Sequence, residues 1–322
     1  MKFRHTLHVF SDNFSITFKH LLYRLVILVV AGAICFAGIY PFIQNKLLNS
    51  PEFNQLTEGI RNFVMNLLNG NVDELRDISA KVQEAFGGVM RLLESYATQL
   101  TLSLLLLLTI IIVAEWFTGI GNYATAAVIN DKMTLCTDSP FFSTIIKNLG
   151  HAAMYNLIYV PLSTVYDVSV GVGMFFLVYV MVNSFLPFLV GVFLFALITV
   201  FAVALKLTFT SDWLPALIRG KMGQKQSFIY TFSRKNKNTF EVLANYVVLV
   251  LLIIAANVSF GFSTIGVGLL ITVPASYIIL LCFQLVNYYD REQLKYFLDK
   301  NHIVKSEKEN TLTREEFFRG EN

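Results

Sequence analysis

Two carboxylates stand in stretches otherwise suited to hydrocarbon. Glu115 lies within the run from Leu104 to Trp116, the most apolar in the chain, and Asp167 falls in the outer part of another apolar stretch. A charge near the centre of a membrane helix costs at least about 2.5–3.5 kcal/mol, so such a group is protonated, paired or facing water. Lys206 is the reachable cation. One reading makes Glu115 and Asp167, with Lys206, Asn122, Asn156 or Tyr159, the lining of a polar pathway or a site for a substrate or proton. In the other, neighbouring hydroxyls and amides satisfy the carboxyl and tie helices together.

Other chemistry finds little support. The chain contains no HExxH, GxSxG or phosphate-loop pattern, and no GxGxxG opening a helix. The five histidines, His5, His8, His20, His151 and His302, lack metal-site spacing. Cys35, Cys136 and Cys282 form no CxxC pair and read as apolar filler. A non-enzymatic protein with no cofactor and no bound metal is expected. Arg219, Lys221, Lys225, Arg234, Lys235 and Lys237 form a basic stretch that anionic lipid explains without nucleic acid.

The elements that carry these residues are membrane helices. Hydrophobic residues make up 55% of the 322 positions and charged ones 15%, against about 45–50% and about 25% in soluble domains. Apolar stretches recur near the roughly 20 residues that cross about 30 Å of hydrocarbon. They predict six spans, at 22–42, 100–124, 150–170, 186–208, 241–260 and 265–288, with 171–183 as a partly embedded outer segment. The first run has no small-residue cleavage site and reads as an uncleaved anchor.

Lys and Arg set the sidedness. Four precede the first span through Arg24, two lie in 123–150, seven in 206–238 and seven after Tyr289, while the five in 43–99 are outnumbered by seven acids. Both termini are thus expected in the cytoplasm, across a plasma membrane. The chain divides into a cytoplasmic amphipathic elbow (1–21), a span (22–42), an extracytoplasmic helical insertion (43–99), a five-helix core (100–288) and a cytoplasmic tail (289–322). The tail reads as a short amphipathic helix through Leu298 and then a solvated end.

Three stretches before outward-going spans share two bulky apolar residues four apart and a following cation: Phe14, Phe18 and Lys19; Phe142, Ile146 and Lys147; Phe228, Phe232, Arg234 and Lys235. Each reads as an amphipathic elbow in the membrane interface. The words 127–133 and 216–222 precede the second and third elbows and suggest a repeated unit. At the end of the second span, Gly119, Gly121, Ala124, Ala126 and Ala127 would let helices approach closely.

The run Thr118-Gly119-Ile120-Gly121-Asn122-Tyr123-Ala124-Thr125-Ala126-Ala127, followed by Phe142 and Lys147-Asn148, resembles the central signature of the YesL-like bacterial membrane proteins of unknown function. Trp213-Leu214-Pro215-Ala216-Leu217-Ile218 is similar to that family's second cytoplasmic segment. The resemblance covers about residues 100–290 and implies five or six helices and an accessory role in carbohydrate uptake, with no assigned chemistry. A more distant similarity is to the membrane domain fused to some glycerophosphodiester phosphodiesterases. The 43–99 insertion departs from the family pattern.

That insertion predicts two amphipathic helices. One carries Phe53, Leu56, Ile60, Phe63, Val64 and Leu67, with Ser50 as N-cap, Pro51 at the first helical position and Gly70 beyond the end. The second carries Val72, Leu75, Ile78, Val82, Phe86, Val89 and Leu93, with a bend expected at Gly87-Gly88. Their apolar faces cover each other and the lipid surface, or they dock another membrane protein. The sequence thus favours an all-α, polytopic membrane helix bundle acting as an accessory or regulatory subunit of a transport or envelope complex. Its rival is a self-contained transporter or channel with Glu115 in the path.

Overall fold

A computed structural model describes residues 2–69, 72–183, 188–219, 222–233, 239–299 and 302–304. The described residues are helical apart from short connections and one two-residue hairpin. Among the described residues, six helices are long and apolar enough to cross a membrane: Phe14–Leu48, Ala97–Leu135, Leu149–Val178, Phe193–Arg219, Thr239–Ser263 and Leu269–Arg291. The protein is a multi-pass, all-α integral membrane protein. It divides into two compact units, residues 1–25 with 116–322, and residues 26–115.

In the first unit, α1 (Lys2–Asp12) precedes α2 (Phe14–Gly38), of which residues 14–25 belong here. Asn13 makes the break, and its buried Nδ2 donates to Val9 O. Phe14 and Phe18 therefore sit in the opening turns of the spanning helix, and the separate short helix before it is α1. The i, i+4 spacing suits an interfacial helix and the start of a span equally well, which is why the expected boundary fell one helix late.

The later part of α6 (Ala97–Leu135) continues well past 124 as helix, because Ala124, Ala126, Ala127 and Ile129 are buried along its flank. It stops at Cys136, whose φ of 54° leaves the helical region. Pro140 is extended and opens α7 (Phe141–Lys147), and Asn148 joins this to α8 (Leu149–Asn183). Segment 171–183 is thus a continuation of α8, not a separate embedded piece, even with Pro161 inside the helix. Then come α9 (Phe188–Thr210), α10 (Trp213–Arg219), α11 (Gln224–Ser233), α12 (Thr239–Ser263) and α13 (Leu269–Arg291). Short helices α1, α7 and α11 each precede one of α2, α8 and α12. Packing joins α8 to α9, α9 to α12, α12 to α13 and α1 to α13.

The core of this unit gathers at the helix ends near both termini. Trp213 is fully buried, with its ring 5.1 Å from Tyr155 and 5.0 Å from Phe228. Such a residue contributes about 3–5 kcal/mol against truncation. Asp212, which separates α9 from α10, pairs with Arg291 at the end of α13. Beyond α13 the chain forms an antiparallel hairpin, β1 (Tyr296–Phe297) with β2 (Ile303–Val304), in place of the expected helix through Leu298. Tyr296 anchors it, buried in the core, where its hydroxyl donates to Asp290 and accepts from His5 Nδ1. Phe317, Phe318 and the rest of the tail from 305 lie outside the described residues.

The second unit holds the rest of α2, a short α3 (Tyr40–Phe42), a π-helical turn (Ile43–Leu48), α4 (Pro51–Asn69), α5 (Val72–Ser95) and the start of α6. Gly38 in α2 sits against Leu106 of α6, and the Phe42 and Tyr96 rings meet edge to face. Ser50 caps α4 by accepting from Phe53 N at 3.2 Å, with Pro51 at the first helical position, as the sequence predicts.

Candidate functional site

The polar residues expected to share one pathway separate into three arrangements. Lys206 on α9 meets Asp167 on α8 at 2.6 and 2.8 Å, one cation gripping both carboxylate oxygens. In an apolar setting the pair neutralises two charges that would each be costly alone. Glu115 closes the second unit, is exposed, and has no hydrogen bond or ion pair among the described residues. Asn156 is fully buried on α8, and its Nδ2 donates to Ala152 O while Oδ1 has no partner. Asn122 Oδ1 on α6 is likewise buried and unpaired. Tyr159 stacks on Tyr155 at 5.2 Å and takes part in the aromatic core.

The small-residue run makes room for this polar layer. Gly119 lies directly under the Asn156 amide, and Gly121 under the Tyr23 ring, whose hydroxyl donates to Phe117 O. Ala124, Ala126 and Ala127 are buried beside them. A side chain at Gly119 or Gly121 would displace its neighbour, so both glycines mark close helix approach.

A residue that spacing did not single out stands in the same layer. His20, fully buried on α2, donates from Nδ1 to Thr125 Oγ1, which in turn donates to Gly121 O. This leaves His20 Nε2 as a buried acceptor without a partner, near an equally unpaired Thr17 Oγ1 one turn earlier. The imidazole stacks on Tyr277 at 5.3 Å, and Arg24 lies 4.8 Å above the same ring. Asn287 on α13 is fully buried with both amide atoms unpaired. Only the contact with Thr125, 105 residues away, identifies His20.

The expected elbows differ in surroundings. On α7, Phe142, Ile146 and Lys147 are exposed together, as an interfacial face requires. Behind them a cavity of about 270 Å³ is lined by Tyr123, Ala127, Asp131, Ser143, Lys147 and Asn148, among others. On α11, Phe228 turns into the core against Trp213, while Phe232 is exposed. Arg234 and Lys235 lie outside the described residues. Phe14, Phe18 and Lys19 are exposed on α2.

The α4–α5 hairpin has two surfaces. Its helices approach closely where Gly59 meets Val82 and Gly88 meets Glu52. Helix α5 runs unbroken through Gly87 and Gly88, of which Gly88 faces Glu52 and Gly87 faces open space. Along this seam runs an open groove of about 830 Å³, lined by Glu52, Glu58, Lys81, Glu84 and Arg91 with smaller polar residues. Apolar residues Ile60, Val64, Met65, Phe86 and Met90 remain exposed elsewhere on the pair.

A third cluster joins chain ends. His8 Nε2 on α1 lies 2.7 Å from Asp299 Oδ2, and His302 Nδ1 lies 2.8 Å from the same oxygen. Comparison with protein-family models, with curated proteins and with solved structures finds no match to this chain.

Proposed function

We propose that the protein is a non-enzymatic accessory or regulatory subunit of a larger transport or envelope complex in a bacterial plasma membrane, with both termini in the cytoplasm. The observation that carries this reading is the exposed apolar set Ile60, Val64, Met65, Phe86 and Met90 on an amphipathic hairpin that also carries charged residues such as Glu52, Glu58, Lys81, Glu84 and Arg91. Full burial of such a side chain contributes about 1.5–3 kcal/mol. Five half-exposed ones therefore offer about 5 kcal/mol in gross terms, enough to seat a hairpin on a partner that also shares the bilayer. The partner is an integral membrane protein, since the hairpin is tethered between two spans. The resemblance of 100–290 to the YesL-like proteins and the distribution of basic residues support the same reading.

A second reading, a self-contained carrier or channel, is favoured by the unpaired His20, Asn122, Asn156 and Asn287 and by the Asp167–Lys206 pair. Purification from native membranes in mild detergent separates the two. A stoichiometric membrane partner retained by the wild type and lost with Phe86→Glu/Met90→Glu supports the accessory role. Recovery of the protein alone in both cases, with transport activity lost in Asp167→Asn or Glu115→Gln, supports the carrier instead.

A further inference from the structure

We propose that His8, Asp299 and His302 form a binding site for a first-row divalent transition-metal ion, zinc foremost, which fastens the C-terminal hairpin to α1. The three residues offer one ligand atom each, all within 4.8 Å of one another. Two imidazole nitrogens and a carboxylate oxygen suit zinc and its neighbours, whereas magnesium and calcium take oxygen ligands. Three protein ligands leave a fourth position for water.

The scaffold that holds these ligands is built by the rest of the hairpin. Asp299 Oδ1 accepts the backbone N–H of His302 at 2.9 Å, and Leu298 N donates to His302 O at 2.8 Å, closing the turn. Strand pairing of Tyr296 with Val304 fixes the base of the same turn. On the other side, His8 lies one turn after His5, which already bonds Tyr296 of the hairpin at 2.9 Å. Two of the ligands thus come on one turn and the third on a helix docked against it.

The spacing of each imidazole nitrogen from the Asp299 carboxylate fits with a small adjustment, and the two nitrogens lie within 4.8 Å of each other. Zinc bonds of about 2.0–2.1 Å in a tetrahedron place donors about 3.3 Å apart. The present hydrogen bonds of 2.7–2.9 Å open by about half an ångström to admit the ion. Side-chain rotation provides this, because the His8 and His302 side chains are 47% and 69% exposed. The pair lies 294 positions apart in the sequence, which is why spacing among the histidines did not disclose it.

The test uses the full-length protein in detergent, stripped with chelator and carrying a tag without histidine. Zinc is titrated by calorimetry, and cobalt(II) by its visible absorption. The expected result is one equivalent of zinc per chain, with a rise in the thermal transition. Loss of an outer hydrogen-bond partner of a metal ligand already costs about 10–100-fold in affinity. Loss of a ligand in His8→Gln or His302→Gln should therefore weaken binding by at least about 100-fold and abolish the thermal shift. Both histidines are exposed, so an unchanged elution profile and metal-free transition establish that the variants fold. Asp299→Asn, which keeps an acceptor for the turn, gives a third variant with the same expected loss. Absence of stoichiometric binding by the wild type, or binding undiminished in these variants, would overturn the site.

Discussion

Replacing Gly119 by alanine probes the polar layer at its tightest point. A Cβ on Gly119 would stand 2.5 Å from Asn156 Cγ and 2.9 Å from Nδ2. Asn156 is fully buried and its Nδ2 is held by Ala152 O at 2.7 Å, so the amide cannot retreat without losing that bond. Overpacking costs about 1–3 kcal/mol, and the lost hydrogen bond a further 0.5–1.5 kcal/mol or so. Better helix propensity returns about 1 kcal/mol. The net expectation is destabilisation by about 1–3 kcal/mol. Gly32→Ala, at a helical glycine with nothing within 4 Å, should be neutral or slightly stabilising. Thermal unfolding in mild detergent, followed by tryptophan fluorescence, reads the difference. Gly119→Ala/Asn156→Ala should recover part of the loss, because neighbours in contact couple. Equal behaviour of Gly119→Ala and Gly32→Ala, or no recovery in the double variant, would refute the packing argument.

Removing the Asp212 carboxylate leaves Arg291 without its buried partner, and breaking such a pair costs about 3–5 kcal/mol; Asp212→Ala should show this as a large fall in unfolding temperature. Ile265 is β-branched with φ 52° in the exposed turn between α12 and α13, where a left-handed conformation costs about 1–2 kcal/mol. Ile265→Asn should therefore stabilise by about 1 kcal/mol in the same unfolding assay. Burial lowers the pKa of His5 below its ordinary 6.5, against the opposing pull of Asp290. The folded state then binds fewer protons than the unfolded one, so stability is full above about pH 6.5 and falls on acidification toward the lowered folded value. Unfolding temperatures compared at pH 7.5 and 5.5 should show a smaller acid loss in His5→Gln.

What could be read from the chain follows the physics of each signal. Apolar length marks a span wherever it occurs, so six spans and the separation of α4–α5 from them were legible. Helix ends were not, because hydropathy reports lipid contact and not hydrogen bonding: α6 continues to Leu135 on buried alanines, and α8 continues through 171–183. The hairpin Tyr296–Val304 was read as helix because two-residue strands are too short to show a period of two. Lys206 was foreseeable by charge as a partner for a buried carboxylate, but its pairing with Asp167 was not, because the expected spans put Asp167 at the outer end and Lys206 at the inner end and only the continuation of α8 through 171–183 brings them level. Asn122 and Asn156 were foreseeable as polar residues in apolar stretches, but not their lack of partners. His20, His8 and His302 depend on contacts across 105, 291 and 294 residues, which no local pattern encodes. A glycine that permits a bend and one that admits a neighbour look the same in sequence, so the role of Gly88 beside Glu52 was not legible.

Site-specific photocrosslinking in living cells tests the accessory role most directly. A photoreactive residue placed singly at 60, 65, 86 or 90 samples the apolar face of α4–α5, and one at 55 or 62 samples the polar groove. The account predicts one protein adduct of constant mass from the apolar positions, containing an integral membrane protein, and none from the groove. Adducts with lipid alone, or equal protein adducts from both sets of positions, would contradict it.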